Sequence, residues 1–221
     1  MQTLVLATKN RGKLEELRAL LVSVPLRVVS VEEVVRTPPH VVEDGRTFAE
    51  NAIKKARAVA QATMTITLAD DSGLEVDALE GMPGVRSARF ASERATDAEN
   101  NAALLAALEE LDDPTVGPTS GSYKARFRCA LALVDPYSRG GEPLVVEGVC
   151  EGAIIRSARG AGGFGYDPLF VVAGLDKTMA ELTEPEKNAV SHRARACQAL
   201  VPELEKVLRA RDEEAERISR A

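Results

Sequence analysis

The chain of 221 residues is 45% hydrophobic and carries 28 Lys and Arg against 34 Asp and Glu, a formal charge of −6. That length and composition suit one substantial α/β domain, or two closely joined lobes, around a sizeable buried core, and they exclude a disordered chain. The acidic balance excludes a duplex-binding surface, so no nucleic-acid partner is expected, and no apolar run approaches the ~20 residues that span a bilayer.

The opening MQTLVLATKN lacks a basic n-region, so no secretory leader is expected and a soluble cytoplasmic protein is. Cys129, Cys150 and Cys197 are odd in number and without CxxC spacing, which fits buried or incidental thiols in a reducing compartment. With only His40 and His192 in the chain, a zinc site of His and Cys is not expected. Any metal should be a hard cation held by oxygen ligands, Mg²⁺ first.

Gln2 to Thr8 reads as a strand, and Leu14, Leu17, Leu20 and Leu21 follow at helical spacing. Between them, Thr8, Lys9, Asn10, Arg11, Gly12 and Lys13 lie where a helix's free N–H groups point outward; they form either a phosphate cradle or a solvated basic turn. The GxxxxGK[ST] pattern is absent. Leu26 to Val31 reads as a second strand, and Pro38, Pro39 and His40 as an irregular surface segment. Thr47 and Glu50 then make a capping box for a helix bearing Ala52, Ile53, Ala56, Val59 and Ala60, whose small side chains suit close packing on a sheet. Glu43 and Asp44, just before that cap, are either loop carboxylates or metal ligands.

The chain is organised around LADDSGLEVDALEGMPGVRSARFA, Leu68 to Ala91. Thr65 to Ala69 has the character of a short buried strand that Ser72 and Gly73 end, placing Asp70 and Asp71 at its carboxyl end, where open α/β sheets bind ligands. Strand alternation allows at most one of the pair to look squarely into a cleft while the other braces the loop. Asp-Asp-Ser-Gly also reads as a plain turn. Arg86 and Arg89 face either an anion or, as is commoner, solvent.

Thr96 and Glu99 open a helix with Ala102, Leu104, Leu105, Leu108 and Leu111 as its buried stripe. Asp112 to Ser122 is linker-like. Tyr123 to Leu133 alternates with Lys124, Arg126 and Arg128, and pairs with Leu144 to Ile155 through a turn, Asp135 to Pro143, that carries Gly140 and Gly141. This is a long antiparallel hairpin, suited to a second lobe or a dimer surface. Gly160 to Pro168 is dense in glycine, so its backbone can approach a ligand, and Phe164 and Tyr166 either pack a base or plug the turn. A strand, Leu169 to Val172, follows. A third capping box, Thr183 with Glu186, leads through Lys187, Ser191, His192 and Arg193 into a charged helix that Pro202 should end or kink, with a solvated tail from Glu203.

Five stretches in order, LATKNRGKLEEL, TFAENAIKKA, the Leu68 to Ala91 segment, GGFGYDP and AELTEPEKNAVSHRARA, closely resemble the Ham1/inosine triphosphatase family of non-canonical purine nucleoside triphosphate pyrophosphatases. The resemblance covers nearly the whole chain. It implies one domain over 1–221 with an elongated two-lobed α/β fold, a mixed β-sheet with flanking helices and a central substrate cleft. The hairpin-rich lobe would span about 118–156 and a charged helical tail about 203–221. It also implies Mg²⁺-dependent hydrolysis of ITP, dITP or XTP between the α and β phosphates by a homodimer.

By position, Thr8, Lys9, Asn10, Arg11, Gly12 and Lys13 match the triphosphate segment. Asp71 matches the metal-binding carboxylate and general base, and Ser72 a substrate contact. Phe164, Gly165, Tyr166 and Asp167 match the nucleoside loop, Lys187 a phosphate-side lysine, and His192 with Arg193 the base-recognition pair. Val42 stands where family members often carry an acid, which leaves Glu43 as the remaining candidate for the second metal ligand. The rival expectations are a Maf-like pyrophosphatase of pyrimidine or modified nucleotides, and a nucleotide-binding regulator without turnover.

Overall fold

The computed structural model describes residues 1–111, 122–138 and 142–220. Six strands, β1 (Gln2–Leu6), β2 (Leu26–Ser30), β3 (Thr67–Val76), β4 (Ser122–Val134), β5 (Leu144–Ile155) and β6 (Phe170–Val172), form one sheet in the order β2-β1-β3-β4-β5-β6. β1 runs parallel to both β2 and β3, and the remaining neighbours are antiparallel. The expected α/β fold with a mixed sheet and flanking helices is therefore present. The helices are α1 (Arg11–Leu20), α2 (Val31–Val34), α3 (Phe48–Thr63), α4 (Asp97–Glu109), α5 (Glu184–Val190) and α6 (His192–Ser219). None of them is long and apolar enough to cross a membrane.

Alternation along the strands divides the core. On one face Leu4, Leu6, Leu68, Leu131 and Leu133 pack with Leu17 of α1 and with Leu200 and Leu204 of α6. On the other, Val5, Ala69, Ala130 and Ala132 meet Ala52, Ala56 and Ala60 of α3, whose methyl groups let the helix lie close, as their size suggested. Farther along, Leu74, Phe127, Ile154 and Phe170 pack with Leu104 and Leu108 of α4. β4 and β5 thus run through successive bodies of core. α6 lies so near β5 that a Cβ at Gly148 would fall 2.1 Å from the His192 carbonyl oxygen and 2.4 Å from Ala196 N, a contact only glycine permits.

β1 and β3 pair only at Val5 with Thr67 and Leu6 with Leu68, whereas β3 pairs with β4 from Thr67 to Val76. Beyond Leu68 the sheet forks. Asp70 and Asp71 sit just past the fork, the fourth and fifth of ten residues in β3 and so not at its carboxyl end as expected; the strand end they adjoin is that of β1.

Several expectations are corrected. Ser72 and Gly73 do not end the strand, because β4 supplies a partner along all ten residues of β3 and turn propensity yields to the ladder. Gly73 instead admits Ser87, whose Oγ accepts from Leu74 N at 2.9 Å. The last helix is broken at Ser191, which caps α6 by accepting from Ala194 N. Pro202 does not end α6: Leu200, Leu204 and Leu208 are buried to either side of it while Pro202 itself is exposed, so packing carries the helix past the missing amide. For the same reason the segment from Glu203 onward is not wholly solvated. Thr47 accepts from Glu50 N, but Glu50 accepts from Arg46 N rather than closing the box. Leu111 lies beyond α4 and is exposed. The linker at 112–121 and the glycines at 140 and 141 lie outside the described residues, and Ser122 opens β4. The three cysteines are free and buried.

Candidate active site

Because Asp70 and Asp71 are neighbours on one strand, they leave β3 on opposite faces. Asp71 points toward α3, where Lys55 Nζ donates to its Oδ1 at 2.8 Å and Asn51 Nδ2 to its Oδ2 at 3.3 Å. The same Lys55 donates to Glu43 Oε2 at 2.8 Å. Asn51 also accepts from Gly45 N at 2.7 Å, and Arg89 donates to the Glu43 carbonyl oxygen at 2.8 Å, so the loop bearing Glu43 is tied at two points. Asp70 points the other way, ion-paired with Lys13 at 3.0 Å and with Arg193 at 3.2 Å.

Both aspartates line a cleft of about 410 Å³ that also receives Thr8, Lys9, Asn10, Lys13, His40, Glu43, Lys55, Ser72 and Arg89. A smaller cavity of about 110 Å³ is lined by Phe164, Gly165, Tyr166, Asp167, Lys187, His192 and Arg193 and shares Asn10, Lys13, Ser72 and Ala88 with the cleft. A ligand with an anionic end and a flat ring end can occupy both.

A chain of ion pairs runs behind the two cavities. From Lys13 and Asp70 it passes to Arg193, on to Glu16, to Lys187 at 2.6 Å, and to Asp167 at 2.8 Å. Asp167 then accepts from Phe164 N at 3.1 Å. Three cations meet three anions, so the network is neutral. All three guanidinium nitrogens of Arg193 are committed, to Asp70, Glu16 and Ser72 Oγ. Lys187 lies 5.0 Å from the Phe164 ring centroid, and the ring also closes on the space over Gly12.

These environments separate the two carboxyls. Burial opposes ionisation of Asp70, but Lys13, Arg193 and Lys55 outweigh it and hold the carboxyl well below the usual range. For Asp71 burial dominates over Lys55 and Lys13, and its pKa is pushed up to about 6. Burial also opposes ionisation of Glu43, yet Lys55 keeps it lowered. Burial, reinforced by Arg193, drives His192 well below the ordinary imidazole value. The neutral ring stacks on Phe127 at 4.9 Å, and its Nδ1 has no hydrogen-bond partner among the described residues.

Among the residues read from sequence, Arg11 and Gly12 line neither cavity, and Arg11 makes an exposed pair with Glu15. Thr8 and Asn10 form the helix entrance, Thr8 Oγ1 accepting from Asn10 N and Asn10 Oδ1 from Lys13 N. Tyr166 is buried, its hydroxyl donating to the Ser87 carbonyl oxygen at 2.8 Å, so it braces the wall. Lys55 and Glu16 were missed. Their available signal was position: Lys55 follows Asn51 at i+4 on the face carrying Ala52 and Ala56, and Glu16 follows Lys13 at i+3 beside the buried Leu17.

No group of three or more His, Cys, Asp or Glu able to hold a metal occurs among the described residues. The donor set is the pair Glu43 and Asp71, brought together on Lys55. Two hard oxygen donors beside a cleft fit a cation such as Mg²⁺, which takes one or two carboxylates and completes its shell with phosphate oxygens and water.

The model of the Ham1 family matches residues 4–203. The chain belongs to the Ham1 family. It is 51% identical over 193 residues to a dITP/XTP pyrophosphatase of Desulforamulus reducens, covering 87% of this chain and 90% of that protein. A dITP/XTP pyrophosphatase of Geobacter sulfurreducens is 50% identical over 204 residues, 92% of this chain and 97% of the relative. The solved structure of a HAM1 protein from Coxiella burnetii matches with a TM-score of 0.79 at 43% identity, covering 93% of this chain and all of that one. The forked sheet and its two joined cavities are thus features of a Ham1 chain.

Proposed function

We propose that this protein hydrolyses non-canonical purine nucleoside triphosphates, ITP, dITP and XTP, to the monophosphate and pyrophosphate, using Mg²⁺, as a cytoplasmic homodimer. The observation that carries the reading is the continuity of the two cavities at Asn10, Lys13, Ser72 and Ala88, which suits a triphosphate in one and a base in the other. The names of the relatives support the substrate class.

A triphosphate brings about four negative charges, and Lys9, Lys13, Lys55 and Arg89 border the cleft to receive them. Glu43 and Asp71 would hold the Mg²⁺, which supplies neutralisation of charge developing on the phosphoryl oxygens. Asp71 accepts the proton of the attacking water; a carboxyl whose pKa is pushed up to about 6 is both largely ionised at pH 7 and basic enough to do so. Lys55 fixes that carboxylate by donating to Oδ1 and leaves Oδ2 to Asn51. In the smaller cavity, His192, Arg193 and the N–H groups of the glycine loop are the donors assigned to the 6-oxo group that distinguishes hypoxanthine and xanthine from adenine. Arg193 commits one N–H of each guanidinium nitrogen to Asp70, Glu16 and Ser72, which fixes the group against the pocket it lines.

Pyrophosphate release should be measured for ITP, XTP, ATP, dTTP and UTP with and without Mg²⁺. ITP and XTP are expected to exceed ATP by on the order of 10² or more in kcat/KM. A preference for the pyrimidine nucleotides, or no release from any of them, sinks the proposal.

The Asp71 carboxyl also predicts how Mg²⁺ binding depends on pH. Below its pKa the proton competes with the cation, so the apparent Kd should rise by about tenfold per pH unit below pH 6 and flatten above pH 7. Calorimetric titration of the protein with Mg²⁺ at pH 5, 6 and 7.5 checks this; a pH-independent Kd would remove Asp71 from the ligand set.

A further inference from the structure

α4 lies outside the ion-pair network, yet Asp97 and Asn100 border the smaller cavity and the first turns of the helix reach both of its walls. Asp97 Oδ2 accepts from Gly165 N at 2.7 Å, and Asn101 Nδ2 donates to Gly165 O at 3.0 Å. Residues four apart on one helix thus grip both polar atoms of a single glycine, in the loop that presents Phe164 and Tyr166. Between them Asn100, which is buried, accepts from Ala91 N at 3.0 Å and donates to Ala88 O at 3.2 Å. That fixes the opposite wall, the 3-10 segment Gly84–Arg89 that carries Ser87 and Ala88.

None of these contacts is needed to form the helix. Its N-terminus is already satisfied by Thr96 and Glu99 in a complete capping box, and asparagine is a poor helix former. Leu104 and Leu108 seat the same helix in the core at 0% and 1% exposure, so the side chains near its start project from a fixed base.

We propose that Asp97, Asn100 and Asn101 are positioning residues for nucleobase recognition, holding the glycine loop and the 3-10 wall at the separation that selects the base. This rests on the functional reading above. Freeing the loop at Gly165 or the wall at Ala88 leaves the Tyr166 to Ser87 hydrogen bond as the remaining tie between them, and the cavity loosens without touching Asp71, Lys13 or Glu43, so base binding and discrimination suffer more than the chemical step.

The test compares kcat and KM for ITP and ATP, with Mg²⁺, in the wild type and in Asp97→Ala, Asp97→Asn and Asn101→Ala, alongside melting temperature. Asp97→Ala and Asn101→Ala should each raise the KM for ITP by about tenfold and lower the ITP to ATP ratio of kcat/KM by a similar factor, with kcat within about threefold of wild type. Asp97→Asn should recover most of the loss, because an amide oxygen still accepts from Gly165 N. An unchanged ITP to ATP ratio in both alanine variants, or Asp97→Asn as impaired as Asp97→Ala, overturns the positioning role whatever the melting temperatures do. A wild type that releases no pyrophosphate from ITP instead overturns the functional reading, and this proposal with it.

Discussion

Asp71→Asn should lower kcat for ITP by about 10²- to 10⁴-fold while the protein stays folded. The amide keeps the shape of the carboxyl and can still accept from Asn51 Nδ2 at the place where Asp71 does, but it has no basicity and is a poor partner for a divalent cation. The stability effect has a definite sign. The folded carboxyl is raised from 3.8 to about 6, so between roughly pH 4 and pH 6 the unfolded state binds fewer protons than the folded one and stability falls as pH rises through that window. At pH 7 the wild type bears this penalty in full. Asparagine does not, and Lys55 keeps Glu43 as a partner. The melting temperature of the variant at pH 7 should therefore equal or exceed that of the wild type. A variant with wild-type kcat would take the proton-accepting role away from Asp71.

Arg193→Ala should be costly in a different way, destabilising the fold by about 3–5 kcal/mol, the usual result of removing one partner from a buried ion pair. The arginine is 2% exposed and serves Asp70, Glu16 and Ser72. Without it two carboxylates remain in a low-dielectric setting, with Lys13 and Lys187 as the cations still beside them. At this chain length the loss corresponds to a melting temperature lower by about 10 °C. The defect should shrink as pH falls, because the abandoned carboxyls then protonate more readily than in the wild type. Calorimetric unfolding at pH 5 and pH 7.5 reads both effects, and a loss below about 1 kcal/mol would mean that the network contributes little to holding the molecule together.

What could be read from the sequence was mostly local. The 3.6-residue spacing of Leu14, Leu17 and Leu21, the alternation from Tyr123 to Leu133, and the caps at Thr96 and Thr183 each declare an element within a few residues. The aspartate pair and the glycine loop announced themselves as chemistry because their composition is unusual for a core. Partners distant in the chain were not legible. Arg193 reads as a free donor until Asp70 and Glu16, 123 and 177 residues away, are seen to occupy it. Lys55 and Glu16 look like ordinary helical charges until the fold turns them inward. Ser72 and Gly73 carry strong turn propensity, and only the presence of β4 alongside converts them to strand. Pro202 fails as a stop signal for the same kind of reason, since leucines on the far side of the helix outweigh one lost amide.

The hydrogen-bonded alignment of β3 with β4 has one further consequence. Since Asp70 and Asp71 are consecutive, a slip of a single residue would turn each to the opposite face, taking Asp71 away from Lys55 and Asp70 away from Arg193. The same slip would set Leu68 toward the alanines of α3 and Ala69 toward the leucines of α1 and α6, so core packing and the placement of the proton acceptor would be lost together. The ten matched pairs from Thr67 to Val76 guard against that error, so in this protein correct strand pairing is itself a condition for turnover.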